Sequence, residues 1–523
     1  MTDPLRDDAT VDVLRQVYEA AGPYLESLAD RPVHDPAARH LLAELAVPAA
    51  GDPMPGQGDG AAAALRRLLR VGTAAATHSA GPRFFHFVTG GATPAALAAD
   101  WTAALLDQNA SFRASSQFAA EAETVALRWL RELFGLPESY GGALVASATF
   151  ANFTALAAAT HWWGERHGAD VAADGLTGLP RMPVLSGGYV HPSDRKALQL
   201  LGHGRNAVEV FAADRVGRVD LVALERRLAE LAAPAVLIAS AGEVNTGDFD
   251  PVDELADLAE RYGAWLHVDG AFGLFAALSP RTRRLVQGIE RADSIAGDGH
   301  KWLNVPYESG FAFLRDPSRL AAAFGMPGAA YLPGERSALR QPASVAADDQ
   351  ATVVAPAVVA PAAVAPAAVD RVPGDGAKGD TGGPDYALLG PESSRRARSL
   401  PIWATLAAYG RDGYRAMVER HLDLAQRLAR LVDEAPDLER LADVPLCIVC
   451  FRARPAGRTE EQLDDLNRRV GAALLDDGRV FVGTTVYDGR VALRPAIVNW
   501  RTTETDIDLL VGVVRELTAK LAG

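Results

Sequence analysis

The sequence predicts an α/β fold: a largely parallel sheet with helices on both faces, followed by a smaller α+β unit. Three observations carry this. Short apolar runs alternate with helical patterns from residue 143 to 314, the arrangement that calls for parallel strands joined by crossover helices. The residues able to do chemistry fall just after those runs, where open α/β sheets collect their ligands. From about residue 391 the pattern changes to a long helix, a strand, a helix, two short strands and a final helix.

Taken in order, residues 9–30 read as an amphipathic helix, with Val11, Leu14, Val17, Tyr18, Leu25 and Leu28 at helical spacing. A second helix is expected over 61–78. Residues 1–80 are therefore expected to form a helical arm whose apolar face is buried on the body or on a partner chain. The aromatic stretch Gly81 to Val88 runs into the turn-rich Thr89 to Pro94. It reads either as a core-lining extended segment or as a pocket wall. Helices are expected over 94–106 and 119–136. Strands are expected at 143–146, 183–185, 207–211, 235–239, 265–268, 294–296 and 310–314. Helical patterns at 151–167, 194–202, 220–232, 252–262 and 280–290 lie between most of them. This gives a large domain over 81–340. Residues 341–384 differ in kind: an Ala/Val/Pro repeat runs to Val369 and a Gly-rich stretch ends at Pro384. Prolines at every fifth position preclude a helix, so an extended, flexible insertion is expected. The remaining unit, 385–523, has helices over 402–434, 459–476 and 503–521 and strands over 445–452, 479–486 and 490–494.

Composition narrows the function. The chain has 523 residues, more than a single core of ordinary size requires, and 49% hydrophobic with 23% charged residues is globular composition. A net charge of −14 disfavours binding to nucleic acid or to an anionic membrane. No secretory h-region and no run of about 20 apolar residues occurs, so the cytoplasm is the expected location. The two cysteines, Cys447 and Cys450, have C-x-x-C spacing but stand in a run that reads as a strand, where positions three apart face opposite ways. Two core thiols are expected, and no metal site.

The chemistry concentrates at the strand ends. Asp269 closes the apolar run Trp265 to Val268, and Lys301 follows thirty-two residues later in Asp298-Gly299-His300-Lys301-Trp302. A lysine that can hold an aldehyde and a buried carboxylate that can keep a pyridine nitrogen protonated suggest a pyridoxal 5'-phosphate (PLP) site. A phosphate wants backbone N–H groups and hydroxyls at a helix start, and Ser147 to Asn152 lies at a strand-to-helix junction. The ring wants a flat partner, and His191 follows the next apolar run. Each of these taken alone has an ordinary structural reading. Their joint occurrence at consecutive strand ends is the signal.

On these residues the chain resembles the group II PLP-dependent amino-acid decarboxylases, which include aromatic amino-acid, histidine and glutamate enzymes. The elements that carry the resemblance are Pro82 to Phe87, Glu121 to Thr124, Ser147 to Asn152, His191, Phe249-Asp250-Pro251, His267 to Ala271, His300 to Leu303, Ser399 to Trp403 and Leu493-Arg494-Pro495. The resemblance implies PLP fold type I: a large domain with a mixed seven-stranded sheet, a small C-terminal domain, an N-terminal arm, and a homodimer with active sites at the subunit interface. It implies Lys301 as the Schiff-base lysine and Asp269 as the pyridinium partner. His191 would stack on the ring, with Ala271 on the opposite face. Ala148 and Thr149 would hold the phosphate, with His300 close by, and Phe84, Phe85 and Phe87 would border the substrate. Tyr386, seventeen residues before Trp403, is the expected proton donor on a catalytic loop. The implied reaction is decarboxylation of an L-amino acid to an amine. Other PLP reactions (aldehyde-forming oxidative decarboxylation, transamination, carbon–carbon lysis) and a non-catalytic PLP-binding homologue are the alternatives.

Two departures from the family pattern carry expectations of their own. Asp298-Gly299 stands where an Asn-Pro pair is common, and a carboxylate there is expected to point away from the phosphate or to bond a protonated group. The turn Ala241 to Gly247 is not Thr-rich, so either Asn245 or Thr246 is expected to meet the ring hydroxyl. Arg83 is the candidate cation for a second substrate carboxylate.

Overall fold

The computed structural model describes residues 9–45, 54, 56–326 and 383–522. Its centre is a seven-stranded sheet in the order β1-β7-β6-β5-β4-β2-β3. In chain order, α1 (Thr10–Ser27), α2 (Ala61–Ala75), α3 (Pro94–Leu106) and α4 (Gln117–Phe134) lead into β1 (Gly141–Val145). Then come α5 (Ala148–Arg166), the single turn α6 (Val171–Asp174), β2 (Val184–Ser186), α7 (Pro192–Leu200), β3 (Val208–Val210), α8 (Leu221–Leu231), β4 (Val236–Ser240), α9 (Val252–Tyr262) and β5 (Trp265–Asp269). β6 (Ser294–Asp298), β7 (Gly310–Leu314) and α10 (Ser318–Phe324) complete this part. Six strands point one way. β7 alone runs antiparallel, between β6 and β1. β4, β5, β6 and β7 are buried along their whole length, which is why they read as continuous apolar runs rather than alternating ones.

The smaller unit holds a four-stranded antiparallel sheet, β10-β11-β9-β8. It follows the long α11 (Ser399–Glu434) and contains β8 (Leu438–Arg440), β9 (Phe451–Ala453), α12 (Glu460–Asp477), β10 (Thr484–Tyr487), β11 (Arg490–Leu493) and α13 (Glu504–Ala522). α11 breaks at Gly410, where φ of 59° and ψ of −175° put the backbone in a region that L side chains rarely enter. α12 starts with a reciprocal Thr459/Gln462 cap, a short-range signal readable in the sequence.

Two expectations are corrected. The helix expected over 280–290 is two 3-10 turns, Arg283–Val286 and Ile289–Arg291. Gly288, at φ 85°, separates them. The strand expected over 445–452 pairs in the sheet only at Phe451–Ala453, with an isolated bridge from Ile448 to Ala496. Its partner β8 was not anticipated, because Leu438–Arg440 is too short to show alternation. Cys447 and Cys450 are both free and fully buried. The insertion over 341–384 lies outside the described residues except for its last two positions.

Candidate active site

Sheet order sets the site. β4, β5 and β6 are parallel neighbours, with Ser240 beside Asp269 and Asp269 beside Ala296. Their carboxyl ends therefore open on one side, and β2 delivers His191 to the same edge. A cleft forms there, lined by Val88, Tyr189, His191, Ser240, Gly242, Glu243, Val244, Asp269, Ala271, Phe272 and Lys301. Of the residues expected at a PLP site, His191, Asp269, Ala271 and Lys301 share this cleft.

Lys301 sits in a wide π-type turn, Gly299–Leu303, that follows β6 directly. Such turns are rare and cluster at functional positions. The turn is held from several sides. Trp302 Nε1 donates to His421 Nδ1 at 2.8 Å and Tyr414 Oη donates to the Leu303 carbonyl at 2.9 Å, both from α11. Asn304 Nδ2 donates to the Val498 carbonyl at 2.9 Å, and its Oδ1 accepts from Trp500 N at 2.8 Å. Burial lowers the His421 pKa to about 3, so the ring stays neutral and accepts from Trp302. Gly90 N donates to the His300 carbonyl at 3.0 Å. A Cβ on Gly90 would collide with the Lys301 carbonyl, so only glycine permits this approach.

Asp269 is buried at the end of β5 and is fully engaged. Oδ2 accepts from Asn152 Nδ2 at 3.0 Å and Oδ1 from Ala271 N at 3.0 Å. Behind Asn152 lies a relay: Trp265 Nε1 to Ser294 Oγ at 2.9 Å, Ser294 Oγ to His267 Nδ1 at 2.9 Å, and His267 Nε2 to Asn152 Oδ1 at 3.1 Å. Burial raises the Asp269 carboxyl, but the nearby His191 and Lys301 side chains and the Asn152 hydrogen bond more than offset it, leaving it below the usual carboxylate range. His191 caps α7, its Nδ1 facing Ser193 Oγ at 2.7 Å. Burial, with Lys301 and Arg494 adding to it against Asp269, lowers its pKa, so it presents an uncharged ring to the cleft. A flat neutral face suits stacking on a pyridine ring.

The phosphate end also fits PLP, with one modification. α5 begins at Ala148 with no side-chain cap on its first-turn N–H groups, so they remain available to an anion. Thr149 is in this turn. The Ala148 N–H, however, donates to Asp298 Oδ2 at 2.8 Å. Asp298 Oδ1 lies 2.6 Å from His300 Nδ1, and the His300 ring stacks on Tyr307 at 4.3 Å. Asp298 therefore does not point away as expected: its carboxylate occupies the Ala148 N–H, which was expected at the phosphate, and it lies beside the His300 ring without a hydrogen bond to it among the described residues.

Other expected site residues are elsewhere. Asn245 turns to the small unit, where its Oδ1 accepts from Thr485 Oγ1 at 2.6 Å. Thr246 is buried and takes the Asp248 N–H. Glu243 and Val244 of the same turn line the cleft instead. Phe85 is 1% exposed within the small unit's core, and Phe84 stacks on Phe481 at 5.5 Å. This segment hydrogen-bonds to the chain around Phe481, so those two rings serve packing. Phe87 is 63% exposed and stands outside the cleft lining. Arg83 is committed to Asp506, with Nε 2.9 Å from Oδ1. Tyr386 is buried against α4, its hydroxyl 3.0 Å from Thr124 Oγ1 and its ring under the Arg395 guanidinium at 5.2 Å. Burial, with the Glu123 charge beside it, pushes its hydroxyl up, which makes it a poor proton donor, and it does not reach the cleft. The expectation drawn from its offset to Trp403 is corrected accordingly: that offset marks a packing tyrosine.

Sequence reasoning missed Asn152's tie to Asp269, as well as Asp194, Glu243 and Arg494. Arg494 is buried, with Nη1 donating to the Phe87 carbonyl at 3.2 Å and Nε and Nη2 unpartnered within the described residues. Burial raises the Glu243 carboxyl to about 7, against the Asn245 and Thr246 N–H groups and Arg494. From an ordinary value of 4.5, a raised carboxyl pKa means that folding takes up a proton. Stability then falls as pH rises from about 4.5 to about 7. Glu243→Gln is expected to flatten that slope by up to one proton, measured by urea unfolding at several pH values. An unchanged slope would contradict the assignment.

The chain is also similar to known proteins. The family model described as pyridoxal-dependent decarboxylase conserved domain matches residues 63–349 and 383–454. The L-2,4-diaminobutyrate decarboxylase of Rhizobium meliloti (strain 1021) is 30% identical over 477 residues, covering 90% of this chain and 84% of that protein. The aromatic-L-amino-acid decarboxylase of Bacillus atrophaeus is 26% identical over 451 residues, covering 85% and 83%. A crystal structure of Oryza sativa TDC with PLP and tryptamine superposes with a TM-score of 0.82 at 24% identity, covering 100% of both chains.

Proposed function

The chain belongs to the pyridoxal-dependent decarboxylase family, has the type I PLP fold and uses PLP as its cofactor; from that premise we propose that it decarboxylates an L-amino acid to the corresponding amine. The observation that carries the proposal is the convergence of His191, Asp269 and Lys301 on one cleft at neighbouring strand ends. When bound there, PLP supplies an electron sink for the carbon that loses its carboxylate.

The chain's own residues do the rest. Lys301 would hold the cofactor aldehyde. Asp269, kept anionic by Asn152 and the Ala271 N–H, holds the proton on the ring nitrogen. His191 supplies a neutral stacking face, and Ala271 bounds the ring on the other side. Thr149 and the open end of α5 take the phosphate, with the Asp298–His300 pair adjacent. Water is limited by Val88, Val244 and Phe272.

The cleft surface also bears on substrate. It combines apolar walls with one carboxyl besides Asp269, that of Glu243, while Arg83 is occupied by Asp506. We therefore assign an amino acid with an apolar or amine-bearing side chain in preference to an acidic one. Because Tyr386 packs against α4, it offers no support for amine over aldehyde as product. Product analysis decides this: amine and carbon dioxide in equal amounts, without aldehyde or peroxide, from a panel of amino acids. Aldehyde with peroxide would replace the proposal by oxidative decarboxylation, and faster turnover of glutamate or aspartate than of aromatic or diamino substrates would overturn the side-chain assignment.

A homodimer fits the exposed apolar side chains of α1, since Val11, Leu14 and Tyr18 are 70%, 51% and 74% exposed and the helix buries no residue of its own. No helix among the described residues is long and apolar enough to cross a membrane.

A further inference from the structure

A second carboxyl lies behind Asp269. Asp194, in the first turn of α7, is fully buried, and neither of its oxygens has a hydrogen-bond donor among the described residues. Its carboxyl faces that of Asp269. His267 Nε2 is 3.9 Å from Asp194 Oδ1, but that nitrogen is engaged by Asn152 Oδ1. Burial lowers the His267 pKa to about 4, so no cation stands there. The positive group nearby, Lys301, acts on Asp269.

Two carboxylates in one buried site cannot both ionise. The charge settles where donors are. Asp269 has Asn152 Nδ2 and Ala271 N, each at 3.0 Å, whereas neither Asp194 oxygen has a hydrogen-bond donor among the described residues, and the His191 and Asp194 N–H groups near it only partly counter burial. The start of α7 favours an anion, but a helix terminus is a modest influence beside full burial and a facing negative charge. Burial first, and the Asp269 charge second, push the Asp194 carboxyl well above the carboxylate range.

We propose that Asp194 is a protonated positioning residue that donates its hydrogen bond to Asp269. A donor to the charged form makes Asp269 less basic. The proton of the pyridinium then stays on the ring nitrogen instead of moving to Asp269, and the cofactor keeps its capacity as an electron sink. This rests on the reading of Asp269 as the pyridinium partner. An apolar residue at position 194 would fill the same space but could not supply the proton.

The test uses the full-length chain before and after PLP is added. Infrared difference spectra report the carbonyl stretch of protonated carboxylic acids. A deuterium-sensitive band is expected to disappear in Asp194→Asn and to persist in Asp269→Asn. Loss in Asp269→Asn with persistence in Asp194→Asn would place the proton on the other partner, and absence from the wild type would show both to be ionised. Either result overturns the proposal. In turnover, Asp194→Val is expected to lower kcat about tenfold with KM unchanged, the effect of one lost hydrogen bond to a charged acceptor. Asp194→Asn, which keeps a donor, is expected to recover to within about threefold. If Asp194 were ionised, Asp194→Asn would instead weaken PLP binding about tenfold by removing an anion that faces the pyridinium end, which would refute the proposal. Should Asp194→Val not fold, the two asparagine variants decide. Failure of the cofactor assignment shows separately, as absence of a visible band in wild type plus PLP, and leaves the infrared result without PLP standing.

Discussion

Lys301→Ala is expected to abolish the visible absorption of lysine-bound PLP and to lower amino-acid decarboxylation by about 10⁴-fold or more. The side chain has no hydrogen-bonded role in holding the turn among the described residues. The turn is held by its neighbours: Trp302 to His421, Asn304 to Val498, and Leu303 to Tyr414. Folding is therefore expected to survive, with a thermal midpoint within a few degrees of wild type, while the covalent anchor is lost. Asp269, His191 and the start of α5 are untouched, so PLP can still bind, without its lysine bond. A visible band in the variant identical to that of the wild type would place the anchor elsewhere and sink the assignment of Lys301.

Arg395→Met is expected to have the largest effect on stability, a loss of about 3–5 kcal/mol. Arg395 and Glu123 have side chains only 2% and 0% exposed, with Nη2 2.7 Å from Oε2. The guanidinium also donates to the Leu144 carbonyl at 2.9 Å and to the Ala110 carbonyl at 3.0 Å, and Glu123 Oε1 accepts from Leu144 N at 3.3 Å. The pair thereby ties the chain after residue 383 to β1 and α4. Burial pushes the Glu123 carboxyl up even with Arg395 beside it. Without Arg395 it must either stay charged without a partner or take up a proton and give up its charge-assisted bond. Urea unfolding measures the loss. Restoration of part of it in the double variant Glu123→Gln with Arg395→Met would show that the orphaned charge causes it, whereas a single variant within 1 kcal/mol of wild type would contradict the argument.

Much of the fold was legible because its signals are local. A strand buried on both faces is a short continuous apolar run, and β4 to β7 appear in the sequence within a residue or two of their observed ends. Lys301 and Asp269 were legible because each directly follows such a run. What was illegible depended on partners distant in sequence. Phe84 and Phe85 looked like a pocket wall, but pairing with the chain near Phe481, some four hundred residues later, turned them into core. Asn245 looked like a ring contact until Thr485 was found to hold it. Tyr386 looked catalytic by its offset to Trp403, yet Thr124 and Arg395 fix it in packing.

The sequence by itself determined the strand–helix alternation and the strand-end lysine and aspartate, and the resemblance those motifs carry pointed to the cofactor. Only the tertiary structure decided the electrostatics around them: that among the described residues Asp269 has two hydrogen-bond donors and Asp194 none, that Glu243 rather than Asn245 faces the cleft, and that Asp298 meets the Ala148 N–H beside His300. The physical reason is that burial and hydrogen-bond partners set the charge of an ionisable group, and here those partners lie on β5, α5 and α7, brought together only when the parallel sheet forms.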